Sequence, residues 1–216
     1  MILGITRTFF SPTFMVSGDA AATARNIMAA EPAYRAGLLT DFVSQVMFIY
    51  LVAVLFKLLR DGNRNQAVLM VLMVLAGVAV SIANLIFQFV PLVLLSGAGY
   101  LSALSKPQLD ALSLGFLTLH GAGVSLATAF WGLWLFPFGY LVIKSGYFPR
   151  ILGVFLMIAG GGYVILSATS IAMPEARQAL FRYLMPLFFG EVPIILWLLI
   201  KGANVPKQAA ALADAA

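Results

Sequence analysis

The stretch FLTLHGAGVSLATAFWGLWLFPFGYLVIKSGYFPRILG, residues 116–153, decides how the rest of the chain is read. Residues 116–143 contain no Asp, Glu, Lys or Arg. As a helix rising 1.5 Å per residue they outrun a hydrocarbon core of about 30 Å. They end on a basic turn, Lys144-Ser145-Gly146-Tyr147-Phe148-Pro149-Arg150, after which a new apolar run begins. The pattern is a membrane helix, a short turn and the start of another helix. The stretch also holds His120, which is the only histidine, together with Trp131, Trp134 and Pro137.

Composition extends this reading to the whole chain. Of 216 residues, 62% are hydrophobic and 10% are charged, with a mean hydropathy of +1.00. A soluble domain carries about 25% charged residues, so this chain cannot clothe a globular surface and takes lipid as part of its solvent. The absence of cysteine excludes disulfides, thiolate metal sites and cysteine nucleophiles. The net charge of +5 is gathered at segment ends. That distribution suits membrane anchoring and topology rather than a nucleic-acid surface.

The expected fold is all-α: a polytopic bundle in one membrane domain, 1–202, with a polar tail, 203–216. Five spans are expected at about 38–56, 67–90, 111–143, 151–171 and 184–200. The third is long enough to tilt, to project, or to kink at Pro137. Met1–Val16 is apolar but short and holds Arg7 and Pro12, so it makes at best a partial sixth span. Residues 19–30 read as an interfacial helix capped by Asp19 and ended by Glu31-Pro32. Lys57, Arg60, Arg64, Lys144, Arg150, Lys201 and Lys207 fall on one side of these spans, and Arg25, Arg35, Lys106, Arg177 and Arg182 on the other. The denser first group points to the cytoplasm, where it puts the C-terminus.

Three blocks are shared with a known pattern: Gly18-Asp19-Ala20-Ala21-Ala22-Thr23-Ala24-Arg25-Asn26-Ile27 with Glu31 and Arg35; Phe130-Trp131-Gly132-Leu133 through Ser145-Gly146-Tyr147-Phe148-Pro149-Arg150-Ile151-Leu152-Gly153; and Gly190-Glu191 with Leu196-Trp197-Leu198-Leu199 and Lys201-Gly202. Together they resemble the bacterial membrane proteins known as domain of unknown function 4386, over about residues 18–202. The resemblance implies a multi-pass protein of the bacterial inner membrane, with six spans in the usual member. It brings no activity to carry over.

Polar groups inside spans are the candidates for chemistry, because lipid cannot satisfy them. Asp41 and Gln45 are spaced i, i+4; Ser81, Asn84 and Gln88 share one face; His120 and Glu191 are the ionisable members of later spans. Counted from the expected outer ends, Gln45, Gln88 and Glu191 lie about 10 Å deep and His120 about 12 Å. Asp41, Gln45, Asn84, Gln88, His120 and Glu191 therefore form one candidate cluster in the outer half. The plainer reading is interhelical glue at about 0.6–2 kcal/mol per bond. One histidine is too few for a metal hydrolase or a bis-histidine haem. No cofactor is expected beyond bound lipid, and Gly160-Gly161-Gly162 reads as a close helix contact rather than a phosphate loop. Two functions stand: a non-enzymatic accessory subunit that packs against other membrane proteins or itself, and a small transporter or ligand-binding bundle built on the polar cluster.

Overall fold

The computed structural model describes residues 14–204, and among them every regular element is helical. The α-helices are α1 (Ala20–Ala29), α2 (Glu31–Leu59), α3 (Arg64–Leu94), α4 (Lys106–Leu133), α5 (Leu135–Ser145), α6 (Arg150–Ala172), α7 (Arg177–Phe188) and α8 (Val192–Ile200). Five helical segments are long and apolar enough to cross a membrane: Glu31–Leu59, Arg64–Leu94, Lys106–Ser145, Arg150–Ala172 and Pro174–Ile200. The expected segment Met1–Val16 lies almost wholly outside the described residues, as does most of the polar tail.

Local chemistry explains the boundaries. Asp19 caps α1 by accepting from the Ala22 amide at 2.8 Å. Pro32 sits in the first turn of α2, where its missing N–H costs nothing. Pro91 does not stop α3, which runs on to Leu94 before Gly97 turns at φ +72°. The long segment 106–145 is interrupted at Trp134, between α4 and α5. Pro137 has no N–H for the carbonyl four residues back, that of Leu133, so the helix loses a bond at this point. Gly146, at φ +71°, then ends α5 in the left-handed conformation open to glycine.

The helices start earlier than the apolar runs do. Lys106 and Asp110 lie inside α4, and Arg177 and Arg182 inside α7. Among the described residues, contacts group into two compact units, residues 14–50 with 78–127 and residues 51–77 with 128–204.

In the first unit, α1 is docked rather than merely laid on a surface. Thr23, Ala24 and Ile27 are buried, and Ile27 joins Tyr34, Leu38, Leu92 and Leu117 in a core that Phe14 and Leu95 edge. Phe14 meets Tyr34 edge-on at 5.2 Å. On α2, Leu39, Val43, Met47, Tyr50 and Val54 are exposed large side chains at helical spacing. Such a face suits lipid.

The second unit is held by backbone-to-backbone approach. A Cβ on Gly132 would lie 2.6 Å from the Gly160 carbonyl oxygen, and one on Gly139 2.6 Å from that of Gly153. Gly160 and Gly153 face their partners in return. The pairs repeat every seven residues on each strand of the contact, which puts both on one face of antiparallel helices. Gly160 and Gly162 thus serve the close contact that the sequence suggests, whereas Gly161 faces open space. Three basic segments also meet in this unit. Gly62 lies against Ser145, and the Asn204 amide donates to the Tyr147 carbonyl at 3.2 Å.

Gly153→Ala should force α5 and α6 apart, because the new methyl would meet the backbone of Gly139 and the side chain of Ile143. The expected loss is about 1–3 kcal/mol, read as a lower thermal unfolding temperature in detergent. Gly161→Ala, with nothing in its way, should leave that temperature unchanged.

Candidate functional site

Helix lengths reset the depth of the candidate residues. Counted from the observed ends of α2, α3 and α4, Gln45 and His120 lie roughly 21 Å in and Asn84 and Asp41 roughly 15 Å in, with Gln88 at roughly 9 Å. The sequence places Gln45 and His120 shallower because charged turns at 31–37 and 106–110 continue the helices past the apolar runs. Gln45 and His120 stand near mid-helix, whereas Gln88 keeps the depth expected from the sequence.

Asn84 is the centre of the group. It is 5% exposed, and its Nδ2 donates to the His120 carbonyl oxygen at 2.9 Å and lies 3.1 Å from His120 Nδ1. The same Nδ1 is 3.1 Å from the Asn84 carbonyl oxygen. One nitrogen cannot both accept from the amide and donate to the carbonyl, so the tautomer of His120 selects between the two bonds. Gly123, one turn along α4, makes the arrangement possible, since any Cβ there would collide with the Asn84 amide. Its Oδ1 is left against the glycine with no hydrogen-bond donor among the described residues.

Three more oxygens share that condition. Gln45 Oε1, Ser81 Oγ and Gln88 Oε1 are buried without a hydrogen-bond partner among the described residues. Ser81 and Gln88 are 8% and 4% exposed, so water of the bulk does not serve them. Tyr34 adds a contact that spacing alone does not reveal: its hydroxyl donates to the Gln88 carbonyl at 2.6 Å. Pro91 leaves the adjacent Phe87 carbonyl, not that of Gln88, without its helical N–H. Asp41, like His120, is half-buried.

Glu191 belongs to the second unit, in the short 3-10 turn Phe189–Glu191. The segment begins at Pro174 and α7 at Arg177, so Glu191 is roughly 21 Å from the start of α7 rather than about 10 Å in. Pro186 is accommodated inside α7 and does not delay the helix. Gly190 lies against the Phe155 carbonyl, a turn and a half from Arg150 at the basic end of α6. The Glu191 carboxyl is 8% exposed and hydrogen-bonds the Tyr163 hydroxyl. Tyr163 is in turn stacked on Phe188 at 4.4 Å. This is a closed pair, with the tyrosine as the partner that the sequence does not announce. Among the described residues no group of three or more His, Cys, Asp or Glu side chains is placed to hold a metal ion.

Comparison with known proteins adds a family and no activity. The profile of the family described as "Domain of unknown function (DUF4386)" matches residues 1–202. An uncharacterized protein from Archaeoglobus fulgidus is 35% identical over 91 residues, which cover 42% of this chain and 53% of that protein. The chain therefore spans about half the length of this relative. No solved structure matches it.

Two substitutions separate glue from orphaned groups. Asn84→Ala removes the bonds to His120 and should cost about 0.6–2 kcal/mol of unfolding free energy. Tyr163→Phe leaves a buried carboxyl without its donor and should cost about 1–3 kcal/mol. Both are read from denaturation in mild detergent, and Tyr163→Phe should be rescued in part by Glu191→Gln, whose amide is uncharged.

Proposed function

The chain belongs to the family described as a domain of unknown function, so its role is read from its own residues; we propose that it is a membrane-embedded binding bundle, non-enzymatic and without a resident cofactor. Its site is the Ser81–Asn84–Gln88 face of α3 with Gln45 and His120. The observation that carries this reading is the set of four buried side-chain oxygens with no hydrogen-bond partner among the described residues. Each unmet group costs about 1–3 kcal/mol where it stands. A ligand that supplies donors or positive charge recovers that cost, which points to a small cation or a hydrogen-bond-donating solute. The half-buried Asp41 on α2 adds the one carboxylate of this group to the same preference.

The accessory-subunit reading keeps narrower support. Small-residue faces suited to partners are mostly used inside the chain, at Gly132, Gly139, Gly153, Gly160 and Gly190. Gly115 and Gly121 on α4 face open space and are where another helix would fit. The basic segments gathered near Ser145 and Tyr147 support a cytoplasmic C-terminus in an inner membrane.

The test uses the purified full chain and measures thermal unfolding with lithium, sodium, potassium, ammonium or urea-like amides added singly. At least one of these should raise the unfolding temperature, and Gln88→Leu with Ser81→Ala should abolish that rise. The same double variant should be as stable as the parent or more so without solute, because it removes oxygens that are unpaired. No stabilisation by any donor, with a double variant that loses stability, would count against a binding role.

A further inference from the structure

A second site stands apart from the Ser81–Gln88 face, at the end of the first unit where α1, the end of α3 and the start of α4 come together. A cavity of about 310 Å³ opens there. Ala24, Met28, Leu94, Leu95 and Leu109 supply an apolar lining, and Arg25, Lys106 and Asp110 supply the charges. Asp110 is only 4% exposed, an expensive position for a carboxylate so near a membrane surface. Both its oxygens bind Lys106 Nζ, at 3.0 and 2.7 Å. Lys106 itself is 73% exposed. The buried acid thus tethers a solvated ammonium that would otherwise wander on a four-carbon stem.

Arg25 is different, for it makes no ion pair among the described residues. Two cations against one carboxylate leave a net charge of +1 at the cavity. A tethered ammonium and an exposed guanidinium with no ion pair among the described residues, beside an apolar lining, match one ligand chemistry, an anionic phosphate ester attached to a hydrocarbon tail. Arg takes phosphate oxygens through its planar fork and Lys does so as a point charge. Met28, 44% exposed, gives the tail an apolar way out into lipid. We propose that this cavity is a phospholipid headgroup site, with Arg25 and Lys106 on the phosphate and Leu94, Leu95 and Met28 against the first carbons of the acyl chains.

The experiment is calorimetric titration of the delipidated full chain with dihexanoyl phosphatidylglycerol, and in parallel with dihexanoylglycerol, glycerol phosphate and inorganic phosphate. The phospholipid should bind saturably, and Arg25→Gln and Lys106→Gln should each weaken it by about tenfold or more. Arg25→Gln removes an exposed side chain with no ion pair among the described residues and should leave the unfolding temperature unchanged. Lys106→Gln also strips the buried Asp110 carboxylate of its partner, so it is paired with Asp110→Asn, and Lys106→Gln/Asp110→Asn should keep the fold and still lose phospholipid affinity. Equal affinity for dihexanoylglycerol, or wild-type affinity in the double variant, would overturn the proposal. Glycerol phosphate or inorganic phosphate binding as tightly as the phospholipid would overturn the lipid assignment and give the site to a soluble phosphate compound.

Discussion

A span in lipid has to keep every backbone bond inside itself, and in this chain proline decides where that rule is strained. Pro91, Pro137 and Pro193 each deprive the carbonyl four residues earlier of its helical donor. Each loss coincides with a structural event. Tyr34 reaches the turn before Pro91, the 106–145 segment breaks at Trp134 before Pro137, and a 3-10 turn replaces α-helix just before Pro193. Polar side chains or close contacts gather near these prolines. Backbone chemistry that lipid cannot relieve therefore selects where tertiary structure has to intervene.

The two units answer this demand differently. In the first, side chains carry the polar traffic: Asn84 bonds His120, Tyr34 bonds a carbonyl, and several oxygens are left over. In the second, the one buried carboxyl of the 3-10 turn is paired with Tyr163, and adhesion comes from glycine backbones in contact. A unit with leftover acceptors has capacity for a ligand. A unit whose polar pair is closed and whose helices touch at the backbone behaves as a rigid support.

The helical class, the caps and the turns were legible in the sequence because each rests on neighbours along the chain. Asp19 precedes its helix, Pro32 opens the next, and Gly146 and the basic residues around it mark a turn. Helix ends were less legible. Hydropathy reports where lipid touches the chain, while hydrogen bonding continues through Glu31, Lys106 and Arg177 into polar turns. That difference is why Gln45 and His120 lie deeper than an apolar count gives. Asn84 and His120 were found because polar residues in spans are conspicuous. Gly123, Tyr34 and Tyr163 went unseen because their parts are played across helices, where spacing along one strand of sequence carries no information. Lys106 and Asp110 stand between these cases: their i, i+4 spacing is visible, but the burial of the acid is not.

The paired glycines of α4, α5 and α6 have a mechanical meaning beyond adhesion. Gly132 meets Gly160 and Gly139 meets Gly153, two notches two turns apart on each side of the contact. Phe136 and Met157 already flank the notches, so sliding one helix along the other by a single turn, 5.4 Å, would take each glycine off its partner and press larger side chains against backbone. The pair therefore has one deep register instead of a shallow series, and gradual shear is closed to it. A small tilt about the glycine contacts keeps both notches engaged, as sliding does not, so the contacts act as a bearing.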